Sequence, residues 1–169
     1  HDGQHQGEYG LIFGLELMTL GRIKREWTAW KRDAHSHGPV DCQSPGVVRA
    51  QYHNPKWIPF TSDREGNHLA LDLDPDEHGS VGQVIVVGRA SGQRRRLTVS
   101  FDAFVERYVH HLRTVDWQIE SGLGWSVRNR KLAAMHYHDW PVIKTRGPAV
   151  RTAPGFFARV METLRGRTF

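Results

Sequence analysis

Four carboxylates crowd into one short stretch of the chain, at Asp72, Asp74, Asp76 and Glu77. Acidic side chains at alternate positions can bind calcium, but the loop that does so with this spacing needs Gly at its sixth position and Glu at its twelfth. Counted from Asp72, those positions hold Glu77 and Gln83. Turn capping or an acidic recognition surface remains. On a strand, Asp72 and Asp74 share one face, and two unpaired charges cannot both be buried there. The expectation is a solvent-facing acidic strip, extended into the next turn by Asp76 and Glu77, that suits a basic partner. The structural alternative is that Asp72 caps the turn or pairs with Arg94 or Arg96.

Two His-x-His pairs, His35 with His37 and His136 with His138, could point imidazoles the same way, as zinc ligands do. Eleven histidines in one chain make such pairs common by chance, and joining the two pairs would need distant segments to meet. No metal site is assigned. Arg94, Arg95 and Arg96 could clamp phosphate, but strand alternation puts Arg94 and Arg96 on one side and Arg95 on the other. Cross-strand pairing with acid serves them as well. Gly122 and Gly124 lack the rest of a dinucleotide fingerprint and do not obviously follow a strand, so they read as a turn. Ser100 has no nucleophile elbow around it and reads as a helix cap. No catalytic residue and no cofactor site is assigned.

These groups must be positioned by elements that the hydrophobic pattern outlines. Residues 11–18 alternate like a strand. Thr19 then caps a helix whose apolar positions are Leu20, Ile23, Trp27 and Trp30, ending near Arg32. Residues 33–46 are rich in His, Gly, Pro and Ser and read as a loop, and residues 47–52 regain strand character. Pro59 confines the Trp57, Ile58 and Phe60 cluster to an edge strand or a loop. Residues 68–74 alternate as a half-buried strand. Residues 81–87 and 94–99 complete an antiparallel meander. Ser100 caps a second helix with apolar residues at Phe101, Phe104, Val105, Tyr108, Val109 and Leu112. A last amphipathic helix carries Phe156, Phe157, Val160, Met161 and Leu164.

The 169 residues are enough for one sizeable core, and no apolar run is long enough to span a membrane. The single cysteine, Cys42, cannot form an internal disulfide, which suits a reducing, cytoplasmic setting. The formal charge of +5 is uneven: residues 1–116 hold 14 Lys and Arg against 15 Asp and Glu, whereas residues 117–169 hold 9 against 3. A basic C-terminal third can attract nucleic acid, but a solvated basic face is the commoner meaning.

The element order and several words resemble the SUKH superfamily, which includes yeast cell-wall assembly regulators and many bacterial toxin-immunity proteins. The words are "HDGQ" at residues 1–4, "GLIFGLELMTL" at 10–20, "EW" at 26–27, "NPKWIPF" at 54–60, "LALDLDPDEHGSVGQVI" at 69–85 and "SFDAFVERYVHHL" at 100–112. The resemblance implies an α+β fold, a twisted and largely antiparallel sheet flanked by helices, used to bind proteins and without a catalytic site. The match runs to about residue 113; the chain is read as a core at residues 1–116 and an unmatched basic extension at 117–169 packed on that core. The family normally carries helices before the "HDGQ" position, so an N-terminally trimmed domain with an exposed apolar strip is expected.

The leading expectation is therefore a non-enzymatic module, an immunity protein that binds and neutralises a toxin. Asp72, Asp74, Asp76 and Glu77 are its partner-binding residues, and a basic toxin is the candidate partner. One alternative is a cell-wall or signalling scaffold; the other is a metal-dependent hydrolase or a nucleic-acid-binding domain.

Overall fold

The computed structural model describes Ile12, residues 15–34, 37–88 and 94–114, and two strands at 117–120 and 124–127. Its architecture is α+β, with antiparallel pairing throughout the named strands. Strand β1 (Glu16–Leu17) leads into helix α1 (Leu20–Asp33). Thr19 caps that helix by accepting a hydrogen bond from the Arg22 amide at 3.2 Å. Among the described residues of the expected strand at 11–18, β1 forms, together with a close bridge between Ile12 and Leu15.

A long loop then leads to β2 (Trp57–Pro59), β3 (Thr61–Ser62), β4 (His68–Asp72), β5 (Gln83–Val87) and β6 (Arg95–Thr98). The main sheet has the order β2-β4-β5-β6, and β1 pairs separately with β3. Pro59 accordingly sits in an edge strand, where its missing amide costs no ladder bond. Helix α2 (Phe101–Thr114) follows, with the Ser100 hydroxyl accepting from the Ala103 amide at 3.1 Å. Beyond it β7 (Trp117–Glu120) pairs with β8 (Gly124–Val127). Gly124 thus begins a strand that pairs back on β7, so a strand does precede Gly122 and Gly124 where the sequence pattern showed no obvious one. The helix expected around residues 156–164 lies outside the described residues.

The sheet is covered on both faces. On one face Ile58, Leu69, Leu71, Val84, Val86 and Leu97 pack with Phe104 of α2, and Ile23 and Trp27 of α1 close the edge of this core. On the other, Trp57, Ala70, Ile85 and Val87 pack with Trp30 and Val48. That second cover is the loop at 42–54 together with Trp30 from the C-terminal half of α1. Here residues 47–52 form no strand, contrary to expectation. The Val47 and Val48 amides both donate to Ser44 O, at 3.1 and 3.0 Å, and Gly46 takes the left-handed φ of +72° that closes this turn. The apolar side chains of the segment serve as a lid over the sheet rather than as a strand within it. β4 is correspondingly buried on both faces, not on one.

Candidate functional site

The carboxylates at 72–77 leave the sheet in order of increasing exposure. Asp72, the last residue of β4, is 0% exposed. Its Oδ1 accepts from Trp57 Nε1 at 2.9 Å and from the Asp74 amide at 2.9 Å, and its Oδ2 accepts from Gln83 Nε2 at 2.7 Å. Burial pushes its pKa up, against these three donors. The expected solvent-facing position of Asp72 is therefore corrected. The long loop covers the polar face of β4, and the carboxylate does the turn-capping work of the structural alternative. It does not pair with Arg94 or Arg96.

Asp74 is partly exposed and surrounded by donors. Asn54 Nδ2 reaches its Oδ2 at 3.0 Å, Lys56 Nζ its Oδ1 at 3.3 Å, and Arg49 Nε lies 3.1 Å from its Oδ2. The Asn54 hydrogen bond, with Lys56 and Arg49, holds its carboxyl below the usual range. Asp76 lies 4.0 Å from Arg49 Nη1, and Glu77 is exposed at the tip of the turn. The four carboxylates are thus neighbours but not one strip: one is internal, one is matched by cations, and two face outward. Asn54, Lys56 and Arg49 are the residues that sequence reasoning missed. The signal was the "NPKW" word itself, whose Asn and Lys both reach Asp74.

The arginine triplet divides as alternation requires. Arg94 is 2% exposed and runs beneath the loop, donating to Gln51 O at 3.0 Å, Tyr52 O at 2.9 Å and Gly88 O at 2.6 Å. Its guanidinium makes no ion pair among the described residues; carbonyl dipoles balance it. Arg95 is buried on the other side, towards Arg107 of α2. Neither is placed to clamp phosphate from solvent.

The histidines form a ring stack. Trp30 stacks on His53 at 4.8 Å and meets His68 edge-on at 5.3 Å, while His37 stacks on Tyr52 at 4.1 Å. Burial, reinforced by Arg94, lowers the pKa of His53 to about 4. Burial also lowers that of His68, whose Nδ1 donates to Thr61 O at 2.7 Å. Among the described residues no three or more His, Cys, Asp or Glu side chains converge as a metal site requires. His35, His136 and His138 lie outside those residues. No described helix is long and apolar enough to cross a membrane.

This is a scaffold with its polar side chains turned inward to hold a loop. The model of the SMI1/KNR4 family (SUKH-1) matches residues 1–107. The chain is 31% identical over 136 residues to the cell wall biosynthesis/cell cycle regulator smi1 of Schizosaccharomyces pombe, covering 71% of this chain and 27% of that protein. It is 24% identical over 157 residues to the cell wall assembly regulator SMI1 of Saccharomyces cerevisiae, covering 70% and 31%. It is also similar to the glucan synthesis regulatory protein of Neurospora crassa, at 25% over 158 residues, 71% of this chain and 30% of that protein. The aligned region thus spans between about a quarter and a third of the length of these relatives.

Proposed function

Because the chain belongs to the SMI1/KNR4 family, we propose that it is a non-enzymatic, cytoplasmic protein-binding module that takes part in regulating cell-wall assembly. The observation that carries this reading is the match across residues 1–107 to a family whose similar members are named as wall and glucan-synthesis regulators. The chemistry agrees with it. Buried Gln83 and Arg94 are occupied in holding the loop to the sheet, and buried Asp72 in accepting from Trp57, Gln83 and the Asp74 amide. Asp72 is shut off from solvent, so no substrate can reach its carboxylate in this fold.

Partner contact in this reading uses the outward carboxylates Asp76 and Glu77, with Asp74 at their edge and Asp72 supporting the turn from inside. Neutralising a basic toxin draws less support from this arrangement than a continuous acidic strip would lend it, because Arg49 and Lys56 already offset Asp74. The test is a chimera in which this chain replaces the matching segment of the fission-yeast regulator. Cells carrying it should keep wild-type resistance to a wall-digesting glucanase, and loss of resistance with a stable, well-expressed chimera would overturn the proposal. In the same background, Asp76→Asn with Glu77→Gln should weaken the response while leaving the fold intact.

A further inference from the structure

The outer side of α1 carries four cations in two pairs one heptad apart. Lys24 and Arg25 form the first pair, Lys31 and Arg32 the second, and Thr28 lies between them. At 100° per residue these five positions fall within one third of the helix circumference. All five are exposed. The pairs stand about 10 Å apart along the axis, at 1.5 Å per residue. Leu20, 56% exposed, continues the row formed by Lys24, Thr28 and Lys31 at its N-terminal end.

The carboxylates of the helix are elsewhere. Glu26 and Asp33 turn to the opposite side, close enough to His68 and His53 respectively to act on their charge. Arg25, Lys31 and Arg32 pair with no carboxylate among the described residues. Lys31 is also held in place, its ammonium 3.4 Å above the Trp27 ring. A cation ordered before contact loses less side-chain entropy when a ligand arrives.

We propose that this face of α1 is a docking surface for a short Asp- and Glu-rich peptide segment of a protein partner, with one apolar residue of that segment seated on Leu20. The inference rests on the reading of the chain as a protein-binding module. Carboxylates three residues apart on a peptide in the extended polyproline II conformation project to the same side and are about 9 Å apart, close to the separation of the two cation pairs. Two features favour a peptide over nucleic acid. The aromatic ring beside the face, Trp27, is only partly exposed and carries the Lys31 ammonium over it, so a base finds no open ring to stack on. Leu20 adds an apolar contact that a phosphate backbone has no use for.

Fluorescence anisotropy with the full chain tests this, using a short labelled peptide of Asp and Glu with a single Leu near one end. Binding should weaken steadily as salt is raised. Arg25→Glu with Arg32→Glu should weaken it at least about tenfold, since like charge then faces like charge. Arg25→Gln with Arg32→Gln, which is gentler on the fold, should show a smaller loss in the same direction. Leu20→Ala should weaken the Leu-bearing peptide about threefold and leave an all-acidic peptide unchanged. Equal binding by the charge-reversed variant would overturn the proposal, as would tighter binding of a single-stranded RNA of equal charge or of phosphatidylserine vesicles. A chimera that keeps glucanase resistance despite Arg25→Glu and Arg32→Glu would refute this surface and leave the wall-regulator reading standing. A wild-type chimera that fails while the peptide still binds would do the reverse.

Discussion

The two faces of the four-stranded sheet are built from different chemistry. Under α2, with α1 only at the edge, Ile58, Leu69, Leu71, Val84, Val86 and Leu97 supply an almost wholly aliphatic surface. Under the 42–54 loop, Trp57, Ala70, Ile85 and Val87 share the face with Asp72, Gln83 and the neighbouring Arg94. The covers explain the difference. A helix satisfies its own backbone amides and carbonyls, so it can be seated on hydrocarbon. An irregular loop cannot, and each of its buried carbonyls needs a donor from below. Gln83 Nε2 gives one to Val47 O at 2.9 Å, and Arg94 supplies Gln51 and Tyr52. Packing there is close enough that a Cβ on Gly79 would come within 2.3 Å of Val47 O.

Substitutions on the two faces should therefore fail in different ways. The largest effect is expected at Trp57, which is 0% exposed and joins hydrocarbon to hydrogen bond on the loop side. Trp57→Ala should cost about 3 to 5 kcal/mol in urea unfolding. Trp57→Phe, which keeps most of the ring but leaves Asp72 one donor short, should cost about 1 to 3 kcal/mol. Equal costs for the two variants would mean that the indole N–H, not the buried area, dominates. Phe104→Ala beneath α2 should also cost about 3 to 5 kcal/mol, by loss of packing alone.

Arg94→Met sharpens the comparison, since it fills similar volume while stripping donors from three carbonyls. A loss of about 2 to 3 kcal/mol is expected. It should be accompanied by faster proteolysis between residues 42 and 54, an effect that Phe104→Ala should not share until the whole domain unfolds. Uniform proteolysis in both variants would show that the loop has no independent opening. Gly79→Ala should have an effect of the same kind, about 1 to 3 kcal/mol, because both the Val47 carbonyl and the Pro75 ring must move aside.

The smallest effect concerns pH. His53 is held neutral in the fold, with its pKa lowered from 6.5 to about 4 by burial and then by Arg94. The unfolded chain therefore takes up a proton first as pH falls. Stability from this group is complete above pH 6.5 and is lost between there and about 4. His68 acts in the same direction. His53→Phe, which preserves a ring against Trp30, should flatten the decline in melting temperature over that window without abolishing it. An unchanged slope would assign the acid sensitivity to other groups.

Much of this molecule was legible in local sequence. Both helices, their Thr19 and Ser100 caps, the edge placement of Pro59 and the meander of β4 to β6 follow from periodicity and turn chemistry, which operate over a few residues. So does the division of Arg94 from Arg95 across the sheet. Six short words in order, from residues 1–4 to 100–112, together indicated the family. Tertiary structure alone decided which polar face would be dry. Alternation shows that Asp72 points away from Leu71, but its exposure depends on a segment some twenty to thirty residues earlier in the chain. That segment contains Val47 and Val48, and those two apolar residues suit a strand as well as a lid. Only the closing of the 42–54 loop over β4 and β5 buries Asp72, matches Asp74 with Arg49, Lys56 and Asn54, and leaves Asp76 and Glu77 outside. The physical reason is that side-chain direction is a local property of the backbone, whereas burial is a property of whatever packs against it.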